Sequence, residues 1–171
     1  MNDFIVAEAR LADCPKILAL YRTVAAIEGG LARTADEISE SYVENFVARS
    51  IAGGIILIAR ESSGKEIIGE IHGYALGPKV FGHVLGELTI AVHPRFQSAG
   101  IGRAIFSEFM RRVVEERPDI LRVELIARES NERALNFYQK LGFEIEGRMA
   151  NRIRSVNGGF EADIPMAWLR K

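Results

Sequence analysis

The sequence contains a single cysteine, Cys14, among its 171 residues. An intramolecular disulfide is therefore excluded, and a reducing compartment suits the chain. Long apolar runs are also missing, since the longest, residues 55–59, is far too short to span a bilayer. The first residues lack a basic segment followed by an apolar stretch, so no secretory signal is predicted. These absences together predict a cytoplasmic protein without a membrane segment.

Neither sign of charge is in excess, because 22 Lys and Arg residues face 23 Asp and Glu residues. We therefore do not expect a nucleic acid or an anionic membrane surface as a partner. His72, His83 and His93 have no metal-ligand spacing, and no pair of cysteines accompanies them, so no metal site is predicted. Any anionic ligand must instead be bound by a local arrangement of donors.

The length predicts a single domain covering residues 1–171, and such a chain can bury its own core. Apolar residues at helical spacing predict four helices, and alternating or short apolar runs predict strands between them. The first predicted helix follows Asp13 as its N-cap, and the second begins with a capping box at residues 34–37. The other two cover residues 100–116 and 132–140. The predicted strands cover residues 4–7, 55–59, 67–76, 87–92, 121–126, 143–156 and 160–169, with turns at 62–65 and 157–158. This order predicts an α/β fold around a mixed sheet.

Residues 94–103 lead from the end of a predicted strand into the glycine-containing start of a helix. The first N–H groups of a helix have no intrahelical partner and carry partial positive charge, so an anion there gathers several hydrogen bonds. We predict a phosphate-binding cradle, formed by Gln97, Ser98, Ala99, Gly100, Ile101, Gly102 and Arg103. The alternative is that the two glycines only open a tight turn. A dinucleotide fingerprint and a P-loop are excluded, because Ile105 replaces the third glycine and Arg103 replaces the lysine.

Two segments resemble the landmarks of the GCN5-related N-acetyltransferases (GNAT). Residues 92–104 are similar to the family's acetyl-CoA motif, in which Gln or Arg, two residues, Gly, one residue, and Gly or Ala follow a strand. Residues 131–143 are similar to its second landmark, one strand later. The resemblance implies a GNAT-like fold with a mostly antiparallel sheet of about seven strands and about four helices. It also implies acetyl-CoA as cofactor, CoA as product, and direct acetyl transfer to a primary amine in a ternary complex.

Amide formation from an amine and a thioester requires a base, an oxyanion donor and preferably an acid. Similarity to phosphinothricin-type members assigns the base to Glu87, which shares one strand face with Thr89 and Ala91 unless a bulge intervenes. The family pattern assigns the acid to Tyr138. The alternatives are a solvent-facing glutamate at a strand start and a core aromatic residue.

The resemblance assigns further residues to the arm and phosphates of acetyl-CoA. The backbone of Ile90, Ala91 and Val92 would pair with the pantetheine arm and supply the oxyanion donor. Asn131, Asn136 and Lys140 would line the rest of the cofactor site. Asn131 could equally be only the N-cap of its helix, and Lys140 a solvated lysine.

The sequence does not identify the acceptor amine. A small molecule, a protein N-terminus and a lysine stay open as alternatives. The family pattern offers charged and aromatic residues as its candidate contacts, namely Glu28, Arg33, Tyr42, Tyr74, Arg148 and Arg152. A non-catalytic CoA-binding sensor and an acyltransferase that uses another acyl-CoA are alternative functions. The sequence also does not determine whether the protein forms a homodimer.

Overall fold

The computed structural model of the protein describes residues 4–62, 64, 66–155 and 157–171. Eight strands and four α-helices lie in these ranges. In chain order they are β1 (Phe4–Glu8), α1 (Cys14–Ala25), α2 (Glu40–Gly53), β2 (Gly54–Glu61), β3 (Ile67–Ala75), β4 (Val84–Val92), α3 (Ile101–Glu116), β5 (Arg122–Arg128), α4 (Glu132–Lys140), β6 (Glu144–Ile145), β7 (Met149–Arg154) and β8 (Phe160–Leu169). The predicted turn residues Ser63 and Lys65 and the predicted strand end Val156 lie outside the described residues.

The chain forms two compact units. The first comprises the described residues within Met1–Ala75 together with Thr89–Pro118, and the second comprises Leu76–Leu88 and Asp119–Lys171. In the first unit the strand order is β1-β2-β3-β4, and in the second it is β4-β5-β8-β6, with β7 also paired to β8. The predicted mixed, mostly antiparallel sheet with four α-helices is confirmed. The single domain over residues 1–171 stays a prediction.

Strands β2 and β3 form the buried centre of the first unit because helices cover both of their faces. Every residue of β3 except Ala75 is buried. On one face, Glu70 and His72 contact Tyr21 of α1. On the other face, Gly69 lies against α3. Such two-sided burial explains the continuous apolar run that the sequence shows in β2.

The first two helices begin differently from the prediction. Asp13 precedes α1, but its side chain does not cap that helix, so the predicted capping bond is wrong. Its carboxylate instead accepts a hydrogen bond from Arg10 N–H at 2.9 Å and pairs with Arg60 at 2.6 Å. The predicted capping box at Thr34 is present but closes a separate 3-10 turn. Helix α2 begins later, because Ser39 Oγ accepts the N–H of Tyr42 at 3.1 Å.

The predicted strand at residues 143–156 is divided into β6 and β7, so the described residues contain eight strands where about seven were predicted. The gap lies opposite Pro165 of β8, because Ile145 pairs with Met166 and Met149 pairs with Asp163. Proline has no N–H to continue a ladder, which explains the break. No helix in the described ranges is long and apolar enough to cross a membrane.

Substitution of Gly69 tests the close packing between β3 and α3. A Cβ at this position would lie 2.8 Å from Ile101 Cγ2 and 3.4 Å from Ala59 Cβ. We expect Gly69→Ala to lower the free energy of unfolding by about 1–3 kcal/mol, since the helix or its side chains must shift. Urea unfolding measures the change.

The matched control is Gly53→Ala in α2, where a Cβ would meet Ala75 Cβ at 3.9 Å, an ordinary contact. This variant should be as stable as wild type or more stable, because alanine favours a helix over glycine by up to about 1 kcal/mol. Equal stabilities of the two variants would contradict the close approach of α3 to β3.

Candidate active site

The N-terminus of α3 forms the centre of the cradle in the first unit. Strand β4 ends at Val92, and a 3-10 turn, Pro94–Phe96, leads to the cradle residues. Among the described residues no side chain caps α3, and its first turn contains no acidic residue. Arg103 instead places a positive charge in this turn. A cation at the positive end of a helix dipole is unfavourable on its own, so an anion bound here would offset it.

The cradle backbone is left-handed at two positions, Ser98 with a φ of 71° and Gly100 with a φ of 84°. No heavy atom would lie within 4 Å of a Cβ at Gly100, so this side of the cradle is open. A Cβ at Gly102 would instead point to Val92 Cγ2 at 3.5 Å and Ile90 Cδ1 at 3.9 Å. The left-handed backbone thus favours glycine at position 100, and Gly102 lies against the side chains of β4.

Glu87 interrupts the regular geometry of β4 in the second unit. Its side chain is exposed, and its φ of 52° is left-handed. The side chains from Glu87 to Ala91 therefore do not alternate between the two faces as they would in a regular strand. The prediction of a shared face was made on the condition that no bulge intervenes. Non-glycine residues in this conformation are uncommon and occur often at functional sites, where the surroundings hold them.

Helix α4 in the second unit has the predicted bounds, Glu132–Lys140. Asn131 Oδ1 accepts the N–H of Ala134 at 3.2 Å, so Asn131 acts as an N-cap. Asn136 and Lys140 are exposed on this helix.

Tyr138 is the buried residue of α4, with 8% of its surface exposed. Its ring lies 5.8 Å from that of Phe137 and 6.1 Å from that of Phe143. Burial raises the pKa of Tyr138 to about 12. The hydroxyl therefore keeps its proton at neutral pH, as an acid must.

The structure separates the candidate acceptor residues into distinct surroundings. In the first unit, Tyr42 and Tyr74 belong to one aromatic cluster, and the guanidinium of Arg33 lies 4.3 Å from the Tyr42 ring centroid. Glu28 is exposed after the end of α1. In the second unit, Arg148 Nη2 pairs with Glu129 at 2.8 Å. Arg152 Nε lies 3.3 Å from an oxygen of Asp163.

Sequence analysis missed three buried polar residues, Tyr21, Glu70 and His72, which contact each other in the first unit. The available signal was two polar residues at alternate positions of an apolar strand, residues 67–74.

Comparison with known proteins gives the family to which this α/β fold belongs. The sequence profile of the Acetyltransferase (GNAT) domain matches residues 52–145, more than half of the chain. The chain therefore belongs to the GNAT acetyltransferase family and is an acyltransferase, as predicted.

Individual relatives agree with this family. The chain is 28% identical to the L-amino acid N-acyltransferase MnaT of Escherichia coli K12 over 148 residues, 82% of this chain and 80% of that protein. A GNAT-family acetyltransferase from Streptococcus pneumoniae has a TM-score of 0.85 at 23% identity, covering 98% of this chain and 100% of that one. A phosphinothricin acetyltransferase from Sinorhizobium meliloti, solved with acetyl-CoA, has a TM-score of 0.84 at 20% identity, covering 99% and 89%. At these identities the two structures support the fold.

The left-handed conformation of Glu87 predicts an unusual stability order. Glycine adopts this conformation without a Cβ penalty, so Glu87→Gly should be more stable than Glu87→Ala by about 1 kcal/mol. Urea unfolding of both variants measures the difference. The matched pair is Thr89→Gly and Thr89→Ala in the same strand, where the glycine variant should be the less stable by about 0.5–1 kcal/mol. The same order at both positions would contradict the strained backbone.

Proposed function

We propose that the protein transfers the acetyl group of acetyl-CoA to a primary amine by direct attack in a ternary complex. The observation that carries this proposal is the cradle, an uncapped helix N-terminus with Arg103 in its first turn. Its N–H groups and guanidinium match the pyrophosphate of CoA in charge and hydrogen-bonding type. Open space at Gly100 leaves room for phosphate oxygens beside the backbone. Acetyl-CoA, when bound, supplies an activated acetyl thioester.

Glu87 is the proposed base. An alkylammonium must lose a proton before it can attack, and an exposed carboxylate can take that proton directly or through a water molecule. The left-handed backbone at Glu87 supports a functional role, since such strain persists where the surrounding structure holds it.

Tyr138 is the proposed acid, and the β4 backbone is the proposed oxyanion donor. A buried tyrosine with a pKa of about 12 keeps its proton for the departing thiolate. The N–H groups around Ala91 and Val92 would donate to the oxyanion. Asn131, Asn136 and Lys140 are proposed contacts of the cofactor arm and phosphates.

The proposed acceptor class is the α-amine of an L-amino acid, which the likeness to MnaT supports. An amino acid presents an ammonium and a carboxylate together. Among the candidate contacts, Glu28 suits the first, and Arg33 and Arg148 suit the second. We further propose a cytoplasmic location, which the single cysteine supports.

Thiol release across a panel of amines tests the reaction. We expect release with acetyl-CoA and at least one L-amino acid, and Glu87→Gln should lower kcat by about a hundredfold or more at neutral pH. This deficit should shrink as the pH approaches the pKa of the amino acid's ammonium group, because a free amine needs no base. Glu115→Gln is the matched control, since Glu115 is an exposed acid paired with Arg111 on α3.

Two outcomes of the panel would replace the proposal. Tight CoA binding without thiol release from any amine would indicate a sensor. Faster release from propionyl- or succinyl-CoA than from acetyl-CoA would indicate another acyl donor.

Tyr138→Phe separates catalysis from packing. The variant keeps the aromatic ring but lacks the hydroxyl that would donate a proton. We therefore expect kcat to fall by about a hundredfold while the Kd of CoA stays within about twofold of the wild-type value. Because the pKa of Tyr138 is about 12, the wild-type rate should not fall through Tyr138 ionisation as the pH rises to about 10. Equal losses in kcat and in CoA affinity would mean that Tyr138 only packs.

A further inference from the structure

A buried polar network lies in the core of the first unit. Tyr21 of α1 and Glu70 of β3 have no exposed surface, and His72 of β3 keeps 2%. The Tyr21 hydroxyl donates to Glu70 Oε2 at 2.5 Å, and His72 Nδ1 lies 3.1 Å from Glu70 Oε1. We call Tyr21, Glu70 and His72 the Glu70 network. One carboxylate thus joins a helix to a strand through directional bonds.

The donors of the network are defined by their surroundings. Burial, and then the neighbouring Glu70, raise the pKa of Tyr21 well above its ordinary value, so the hydroxyl keeps its proton and donates it. His72 Nδ1 is assigned a proton because it faces both oxygens of Glu70, at 3.1 and 3.3 Å. In the described part of the chain, no buried side-chain nitrogen or oxygen lacks a hydrogen-bond partner.

Stability alone does not account for this network. Burying polar groups costs desolvation energy, and well-packed apolar residues in their place are often as stable or more stable. Directional bonds do something that apolar packing does less well: a fully satisfied network holds its members in one arrangement. The network can therefore orient other side chains that contact its members.

The ring of His72 also contacts two neighbouring aromatic rings. It is stacked on Phe46 at 4.1 Å with an 11° interplanar angle, and on Tyr74 at 5.9 Å with a 2° angle. On the other side of Phe46, Tyr42 makes an edge-to-face contact with it at a centroid distance of 5.3 Å and an interplanar angle of 68°. We call Tyr42, Phe46, His72 and Tyr74 the aromatic wall. A rotation of His72 would disturb its neighbours on both sides.

The aromatic wall adjoins the part of β4 that the proposed function assigns to the acetyl group. Strand β4 is the sheet neighbour of β3, and His93 N–H, just after β4, donates to Ile68 O near the start of β3 at 2.9 Å. Ala91 belongs to the same buried cluster as Tyr74.

We propose that the Glu70 network positions the aromatic wall, against which the acceptor amine binds beside β4. This inference rests on the proposed function. Tyr21, Glu70 and His72 are positioning residues, and Tyr42 and Tyr74 are the wall residues that contact the acceptor. Loss of the network should therefore weaken acceptor binding and leave the cradle intact.

Steady-state kinetics with both substrates varied, together with CoA binding by calorimetry, test this inference. Tyr21→Phe removes one donor to Glu70 and should raise the KM of the amine about tenfold, since small misplacements of contact residues are costly. The KM of acetyl-CoA and the Kd of CoA should stay within about twofold. Glu70→Gln should retain a near wild-type KM for the amine, because its amide oxygen accepts from Tyr21 and its amide N–H donates to His72 Nδ1 once the imidazole carries its proton on Nε2.

Phe109→Leu is the matched control for lost stability. Phe109 is fully buried in α3, the helix that lies against the face of β3 opposite Glu70 and His72. The smaller side chain should lower the melting temperature, because it creates a cavity, and should not change the amine KM. If Tyr21→Phe does not fold, His72→Phe keeps the stacked ring without the bond to Glu70, and should raise the amine KM in the same way.

Several outcomes would overturn the inference while the proposed function stands. One is an unchanged amine KM in Tyr21→Phe or, should that variant not fold, in His72→Phe. Others are an equal rise in the KM of acetyl-CoA and a rise in Glu70→Gln as large as that in Tyr21→Phe. If wild-type enzyme binds CoA but releases no thiol with any amine, the proposed function fails and the inference falls with it.

Discussion

The packing of α3 onto β3 supports the candidate site of the first unit. Gly69 has no side chain, so Ile101 and Ile105 of α3 approach the strand closely. Because Ile101 is the first residue of α3, this contact also fixes where the helix begins. The cradle consists of N–H groups and depends on that position, since hydrogen-bond donors favour a ligand most when their backbone is already in place.

The first unit contains two polar arrangements that differ in how they are satisfied. The cradle residues Gln97 to Gly100 are exposed, so water can occupy the donors when no anion is bound. The Glu70 network is excluded from water, so its members must satisfy one another. The first arrangement can therefore exchange a ligand, whereas the second can only hold a structure. This difference is why we assign binding to the cradle and positioning to the network.

Backbone strain marks three positions outside glycine, namely Glu87, Ser98 and Asn151 in the described part of the chain. Asparagine tolerates a positive φ better than most residues, and Asn151 lies at an irregularity in β7. Glutamate has no such tolerance, and Glu87 lies in the strand to which the proposed function assigns the base. Ser98 lies in the cradle. Each left-handed residue costs about 1–2 kcal/mol, which the surrounding packing must offset.

The sequence by itself determined those parts of the protein whose signals are local. Helix α4 begins and ends at the predicted residues because Asn131 caps it and Gly142, with a φ of 88°, follows its end. The start of α3 was predictable for the same reason, since the glycines and the first apolar residue that signal it lie within a few residues. The order of helices and strands predicted the mixed sheet, and the two family motifs indicated the GNAT family.

Only the tertiary structure decided the features that depend on distant partners. Pro165 divides a strand that is continuous in the sequence pattern, because the break lies opposite it in the neighbouring strand. Tyr21 and Glu70 are 49 residues apart, and no periodicity encodes that their side chains share a hydrogen bond. Apolar periodicity reports which face of an element is buried. It does not report which polar groups meet there, because that depends on how helices and strands pack.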